Sequence, residues 1–179
     1  MKVTIIVGSR REGNSYKLSQ KLKESFKKNR IVSSTIVPGN QKIYLCTGCM
    51  DCDENGVCDF DDDMKQNIDK ILKSDCLIFI TPTRWNLLSG DIKIFMDRLN
   101  PLYVPKSLKD KKAILIAIGG SSEEEFSTNG AISSLDSFCE KSGMNVLNKY
   151  QINNCLLSDD INEIDVDNII NSIVELLKD

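Results

Sequence analysis

Apolar residues along this chain follow two periods in turn, and their alternation predicts an α/β architecture. Residues 3–7 form a continuous β-branched run, the pattern of a strand buried on both faces. Leu18, Leu22 and Phe26 then recur every four residues within 15–29 and predict a helix. A second strand is expected through Thr35–Val37. Further buried strands are expected at Cys76–Ile80, ending on Thr81-Pro82, and at Ala113–Ile118, with a weaker signal over Met144–Tyr150. Met64, Ile68, Ile71 and Leu72 share one helical face, with Asp61, Asp62 or Asp63 available as the cap. Helices are also expected over Ile92–Leu99, starting near Ser89-Gly90, over Thr128–Lys141, and at the end through Ile164, Ile169, Ile173, Leu176 and Leu177. Five strands alternating with five helices imply a parallel sheet covered on both faces.

One stretch breaks the rhythm. Residues 38–61 keep neither period and contain a cluster of cysteines and three glycines, so they read as an ordered insertion after the second strand. No repeat or low-complexity linker interrupts the rest. At 179 residues the chain suits a single domain over 1–179, a size that buries roughly 70% of its unfolded surface without needing a metal for stability.

Composition narrows the function classes. The chain is 41% hydrophobic and 27% charged with a formal charge of −3, which offers no general attraction to nucleic acid or to an anionic membrane. No apolar run approaches the ~18 residues of a spanning helix. The opening Met-Lys-Val-Thr-Ile-Ile-Val-Gly leads straight into a strand and does not read as a signal peptide, so a cytoplasmic location is expected. Seven cysteines, an odd number, fit a reducing compartment, and the absence of histidine excludes His-based triads and imidazole acid/base chemistry.

In a sheet of this kind ligands sit outside the carboxyl ends of the strands. The first such end carries Gly8-Ser-Arg-Arg-Glu-Gly-Asn-Ser15 and runs into a helix. Ser9, Asn14 and Ser15 supply hydrogen-bonding groups, Arg10 or Arg11 a guanidinium, and the helix start free N–H groups, which together suit a phosphate monoester. The segment is neither a Walker A loop nor a G-x-G-x-x-G fingerprint. A second strand end, Thr81-Pro-Thr-Arg-Trp-Asn86, offers Pro82, Thr83, Arg84 and Asn86 beside the broad face of Trp85. Gly119-Gly120 at a third lets the backbone approach a ring closely. Three convergent loops suit a phosphate-bearing flavin.

Cys46-Thr-Gly-Cys49-Met-Asp-Cys52, followed by Cys58, places four thiols in one short stretch. A C-x2-C-x2-C run with a remoter fourth cysteine suits a 4Fe–4S cluster. Structural zinc, a redox dithiol or free thiols remain open for the same residues. Gly48 is expected to relieve crowding between Cys46 and Cys49. Cys76, Cys139 and Cys155 lie in strand or helix surroundings and read as buried small hydrophobes.

The Gly-Ser-Arg-x-x-Gly-Asn-Ser opening, the Thr-Pro loop followed by Ser89-Gly-Asp-Ile-Lys-Ile-Phe-Met-Asp-Arg98, and Gly119-Gly120 resemble the NADPH-dependent FMN reductase-like flavoproteins. With Cys46, Cys49, Cys52 and Cys58 included, the chain is similar to the iron–sulfur flavoprotein branch. The resemblance covers nearly the whole chain. It implies a flavodoxin-like three-layer α/β/α sandwich, with strand order 2-1-3-4-5, that binds FMN and assembles as a homodimer or homotetramer. It places Ser9, Arg11, Asn14 and Ser15 on the phosphate loop. Pro82, Thr83, Arg84, Trp85 and Asn86 fall beside the isoalloxazine, Gly119 and Gly120 on its other side, and the four cysteines on a 4Fe–4S cluster. Many relatives carry a Pro-x-Tyr element where this chain has Pro82-Thr83-Arg84-Trp85. The implied activity is electron transfer from a donor such as ferredoxin to a small-molecule acceptor through cluster and flavin. An NAD(P)H-dependent FMN, quinone or nitro reductase without a cluster is the alternative, and a non-catalytic thiol redox sensor a third reading.

Overall fold

The sheet forms because its inner strands carry side chains that are apolar on both faces. In the computed structural model, which describes residues 1–178, β1 (Lys2–Val7), β3 (Cys76–Pro82) and β4 (Lys112–Ile118) are almost wholly buried. The two edge strands, β2 (Val32–Ile36) and β5 (Asn145–Ile152), are partly exposed and more polar. All pairings are parallel and the order is β2-β1-β3-β4-β5. The expected flavodoxin-like α/β sandwich with order 2-1-3-4-5 is therefore the observed one.

Helices lie on both faces. On one face, α1 (Asn14–Lys28) and α6 (Asp167–Leu176) pack Leu18, Leu22, Phe26, Ile170 and Ile173 against Val3, Ile5, Ile78 and Ile116. On the other, α3 (Met64–Leu72), α4 (Gly90–Asp97) and α5 (Asn129–Ser142) bury Met64, Ile71, Phe95 and Leu135 against Leu77, Phe79 and Leu115. Alternate strand residues thus feed two cores, as a period of two requires.

Boundaries shift in physically readable ways. Ser89 caps α4, its hydroxyl accepting from the Ile92 N–H. Asp63 occupies the cap position of α3 without a side-chain cap bond; the carboxylate that reaches the helix is that of Asp62, which accepts from Met64 N–H at 3.0 Å. Leu72 is exposed, whereas Asn67 is fully buried and paired with Gln41 on the α3 face. Ile164 precedes the last helix, packed in a turn. Residues 38–61 begin with a 3-10 turn at Pro38–Asn40, run without regular structure to Met50, and contain one additional short helix, α2 (Asp51–Asn55).

Because β1, β3 and β4 are in parallel register, with Val7 opposite Ile80 and Pro82 opposite Ile118, their carboxyl ends finish together on one edge. The chain order reverses between β1 and β3, the position where such sheets open a crevice.

Candidate functional site

A cleft of about 150 Å³ lies at that edge, walled by Ser9, Arg11, Asn14, Ser15, Pro82, Thr83, Arg84, Ile118, Gly120, Cys155 and Leu156. The start of α1 borders it. The cap position is Gly13, with no side-chain cap and no acidic residue in the first turn, so the first N–H groups of the helix have no side-chain acceptor. Arg11 is the cationic side chain beside them. Arg10 instead turns away and forks onto Asp91, its Nη2 donating to Oδ1 at 2.8 Å and its Nε at 3.1 Å.

Asn14 lines the cleft, and its side chain is also engaged with the loop after β5. Its amide nitrogen donates to the carbonyls of Leu157 at 2.7 Å and Cys155 at 3.3 Å, and its Oδ1 accepts from the Ile161 N–H at 3.2 Å. The side chain ties down the loop after β5, and its amide hydrogens are already committed. That loop is the part of the wall that local patterning did not reveal. Cys155 and Leu156 reach the cleft from it, and no local period marks them. Burial pushes the Cys155 thiol up to about 11, which keeps it protonated at neutral pH. Cys76 and Cys139, buried in the two cores, are each pushed up to about 12 for the same reason.

Trp85 and Asn86 do not line the cleft. They form the two-residue tip of a hairpin closed by Arg84 and Leu87, each N–H donating to the other's carbonyl at 2.9 and 3.0 Å. Both tip residues have positive φ, 50° and 59°, as the right-handed twist of a two-residue hairpin demands. The left-handed region is sterically costly for a bulky side chain such as Trp. Trp85 is 98% exposed, so its indole projects from the rim and covers nothing within the molecule. The hairpin is braced from below. The Asn86 carbonyl sits where a β-carbon on Gly130 would stand, so this second residue of α5 has to be glycine despite its poor helix propensity. Gly120 belongs to the wall, whereas Gly119 packs behind it against Ser127 and Thr128.

The cysteine-rich segment builds a second cavity, of about 40 Å³. All four of Cys46, Cys49, Cys52 and Cys58 line it, together with Phe60, Arg98, Asn100 and Pro101. Cys52 is buried, Cys58 half-buried, and Cys46 and Cys49 exposed. Among the described residues no three Cys, Asp or Glu side chains converge closely enough to hold one metal ion as they stand. Gly48 has open space around its α-carbon. Its φ of +70°, a left-handed turn, is the reason for glycine there, in place of the crowding expected from sequence.

Arg98, fully buried at the C-cap of α4, organises this cavity. Its Nη1 donates to Asp62 Oδ2 at 2.5 Å and to the Tyr44 carbonyl at 2.7 Å; its Nη2 donates to Asp62 Oδ1 at 3.1 Å and to Cys58 Sγ at 3.5 Å. The guanidinium also lies 4.9 Å from the Phe60 ring centroid. Burial opposes ionisation of Asp62, but the Arg98 fork and the N–H groups of Tyr44 and Met64 outweigh it and hold the carboxyl below its ordinary value. Asn100 Nδ2 donates to Cys52 Sγ at 3.2 Å and to Asp53 Oδ1 at 2.9 Å. Neither Arg98 nor Asn100 was legible as a partner of the cysteines, because each lies some forty residues or more from the sulfur it reaches.

A doubly wound parallel sheet in the order β2-β1-β3-β4-β5, with a cleft at its reversal point, defines the class of flavodoxin-like α/β proteins. More narrowly, residues 1–154 match the model of the NADPH-dependent FMN reductase family, and the chain belongs to that family. An iron–sulfur flavoprotein of Methanocaldococcus jannaschii is 31% identical over 122 residues, covering 68% of this chain and 63% of that protein. An iron–sulfur flavoprotein of Methanosarcina thermophila is 29% identical over 123 residues, covering 68% of this chain and 64% of that protein. The matched stretch thus spans less than two thirds of either relative's length. Among solved structures, a flavone reductase superposes with a TM-score of 0.72 at 17% identity, over 98% of this chain and 60% of that one. An NADH:FMN oxidoreductase superposes with a TM-score of 0.68 at 19% identity, over 97% and 88%. These two likenesses are of fold.

Proposed function

We propose that this protein is an FMN-dependent oxidoreductase that uses the cleft at the ends of β1, β3 and β4 to hold the flavin. The observation that carries the reading is the convergence on one cleft of Arg11, Ser9, Ser15 and the uncapped start of α1, a donor set suited to a phosphate monoester dianion. Cavities that enclose a whole ligand of flavin size hold roughly 300 Å³ or more. The cleft, at about 150 Å³, suits the phosphate and inner ribityl chain. The ring then rests on the backbone of Pro82–Arg84 and Gly120.

When bound, FMN supplies acceptance of an electron pair and its release singly or together. The chain's own residues hold and orient it. Arg11 neutralises the phosphate, the α1 start supplies fixed N–H donors, and Arg84, now donating to the Thr83 carbonyl at 2.9 Å, has a guanidinium free to turn toward an anionic ring. Trp85, next to Arg84 at the tip of the hairpin, presents an exposed aromatic face that a planar acceptor would meet. Electrons enter from NAD(P)H in the reading that needs only this cleft, and leave to a quinone, nitroaromatic or similar small molecule.

A second reading is favoured by the cysteine cavity. Four thiols lining one cavity, with N–H donors already aimed at two of the sulfurs, fit a sulfur-rich cluster, and two relatives are named as iron–sulfur flavoproteins. In that case a one-electron carrier such as ferredoxin is the donor, and Cys46, Cys49, Cys52 and Cys58 hold a 4Fe–4S cluster that serves the flavin. The family resemblance supports a homodimer or homotetramer. Anaerobic spectroscopy separates the readings. Flavin bleaching on addition of NADH or NADPH supports the first, and bleaching only with reduced ferredoxin, with near-four iron and sulfide per chain, supports the second. Protein that fails to bind FMN at all overturns both.

A further inference from the structure

Resting on the cluster reading, we infer that Arg98 and Asn100 are positioning residues that set the reduction potential of the group held by the four cysteines. The inference begins with the donor inventory of a guanidinium, which has five N–H groups. Nη1 and Nη2 are taken by Asp62, the Tyr44 carbonyl and Cys58 Sγ. Nε is buried without any acceptor. A charged side chain withdrawn from water normally satisfies every donor, because an unmet one costs about 1–3 kcal/mol. The same side chain lines the cysteine cavity and already donates to one of its sulfurs, so a donor-rich cation stands beside the four thiols.

Asn100 supplies a second, separate observation. It lies just beyond α4, in the 3-10 turn Asn100–Leu102, and its amide is divided between Cys52 Sγ and Asp53 Oδ1. Donors therefore approach two of the four sulfurs, both from the segment that ends α4, while Cys46 and Cys49 remain on the exposed side. The Asp62 fork fixes the Arg98 guanidinium so that it does not have to be reoriented when charge arrives. Adding an electron to a thiolate-held cluster concentrates negative charge on its sulfurs, and fixed N–H donors stabilise that more negative state. Arg98 and Asn100 thus raise the potential, making the cluster easier to reduce.

The experiment uses wild type, Arg98→Lys and Asn100→Ala, each FMN-loaded and reconstituted anaerobically with ferrous iron and sulfide. Iron and acid-labile sulfide per chain, the cluster midpoint by EPR-monitored titration, and the flavin midpoint in the same sample are read together. Each variant is expected to take up as much iron as wild type and to shift its oxidised-to-reduced ratio about tenfold toward oxidised at the wild-type midpoint, equivalent to 59 mV for one electron. The flavin midpoint is expected to stay in place. Equal iron with an unmoved cluster midpoint overturns the inference while leaving the cluster reading intact. Wild type that takes up neither iron nor sulfide overturns the reading, and the inference with it. Should Arg98→Lys fail to fold, Asn100→Ala, which touches no buried ion pair, decides alone.

Discussion

The Asn14 amide and the Leu157 carbonyl, 143 residues apart in sequence, meet at 2.7 Å and lock the loop after β5 against the start of α1. Asn14→Asp replaces the donor with a carboxylate facing two carbonyls. The expected result is a loss of about 1–3 kcal/mol, the cost of buried acceptors left unmet. Flavin affinity should fall with it, because Cys155 and Leu156 hang on the same loop. Thermal unfolding with and without FMN, together with a fluorescence titration, checks both effects.

Arg11→Ala should weaken FMN binding without unfolding the protein. A charge-assisted hydrogen bond contributes about 1.5–3 kcal/mol, so the dissociation constant should rise roughly ten- to hundredfold. Riboflavin, which lacks the phosphate, should bind the two proteins alike. Isothermal titration with FMN and riboflavin in parallel distinguishes loss of a phosphate contact from general damage.

Asp62→Asn addresses the ion pair beneath the cysteine cavity. Removing one partner of a buried pair typically costs about 3–5 kcal/mol, because the remaining charge stays uncompensated. The pH dependence has a definite sign. The folded carboxyl is held below the ordinary value of 3.8, so its stabilisation is complete above that value and is lost as pH falls through the lower, folded one. The variant should be less stable at neutral pH and should lose less on acidification below about 4. Urea unfolding between neutrality and pH 3 measures both.

Gly130→Ala reverses a general rule. In an exposed helix interior the change gains about 1 kcal/mol, but here the new β-carbon would meet the Asn86 carbonyl. Destabilisation is expected instead, with the hairpin displaced. Denaturant unfolding gives the sign, and quenching of the single tryptophan by acrylamide reports whether Trp85 has moved.

Alkylation should sort the thiols by environment. Cys76 and Cys139, with thiols pushed up to about 12, and Cys155, pushed up to about 11, should resist iodoacetamide in the native protein at pH 8. In protein free of iron, Cys46 and Cys49, both exposed, should react first. Peptide mass mapping after brief labelling gives the order.

The sheet was legible because strands buried on both faces read as unbroken runs, as in Val3–Val7 and Ala113–Ile118. β5 was weaker because it is an edge strand carrying Asn148, Lys149 and Gln151. Strand ends and helix starts pointed to Ser9, Ser15 and Pro82–Arg84 through local rules, while the choice of Arg11 over Arg10 came from the family resemblance. What escaped depends on distance in the chain or on unusual turns. Cys155 and Leu156 are brought to the cleft by Asn14, and Arg98 and Asn100 reach Cys58 and Cys52 across the insertion. The hairpin was hidden because such turns favour Asn-Gly, and this one is made from Trp85-Asn86.

That hairpin has a bearing on how such a protein can diversify. Its grip on the body passes through the Asn86 carbonyl, Gly130 and the two backbone bonds between Arg84 and Leu87, and none of these involves the side chain at position 85. Position 85 is an interchangeable fitting: its side chain can be replaced within the limits of a left-handed backbone while the hairpin and its seat on α5 are inherited unchanged.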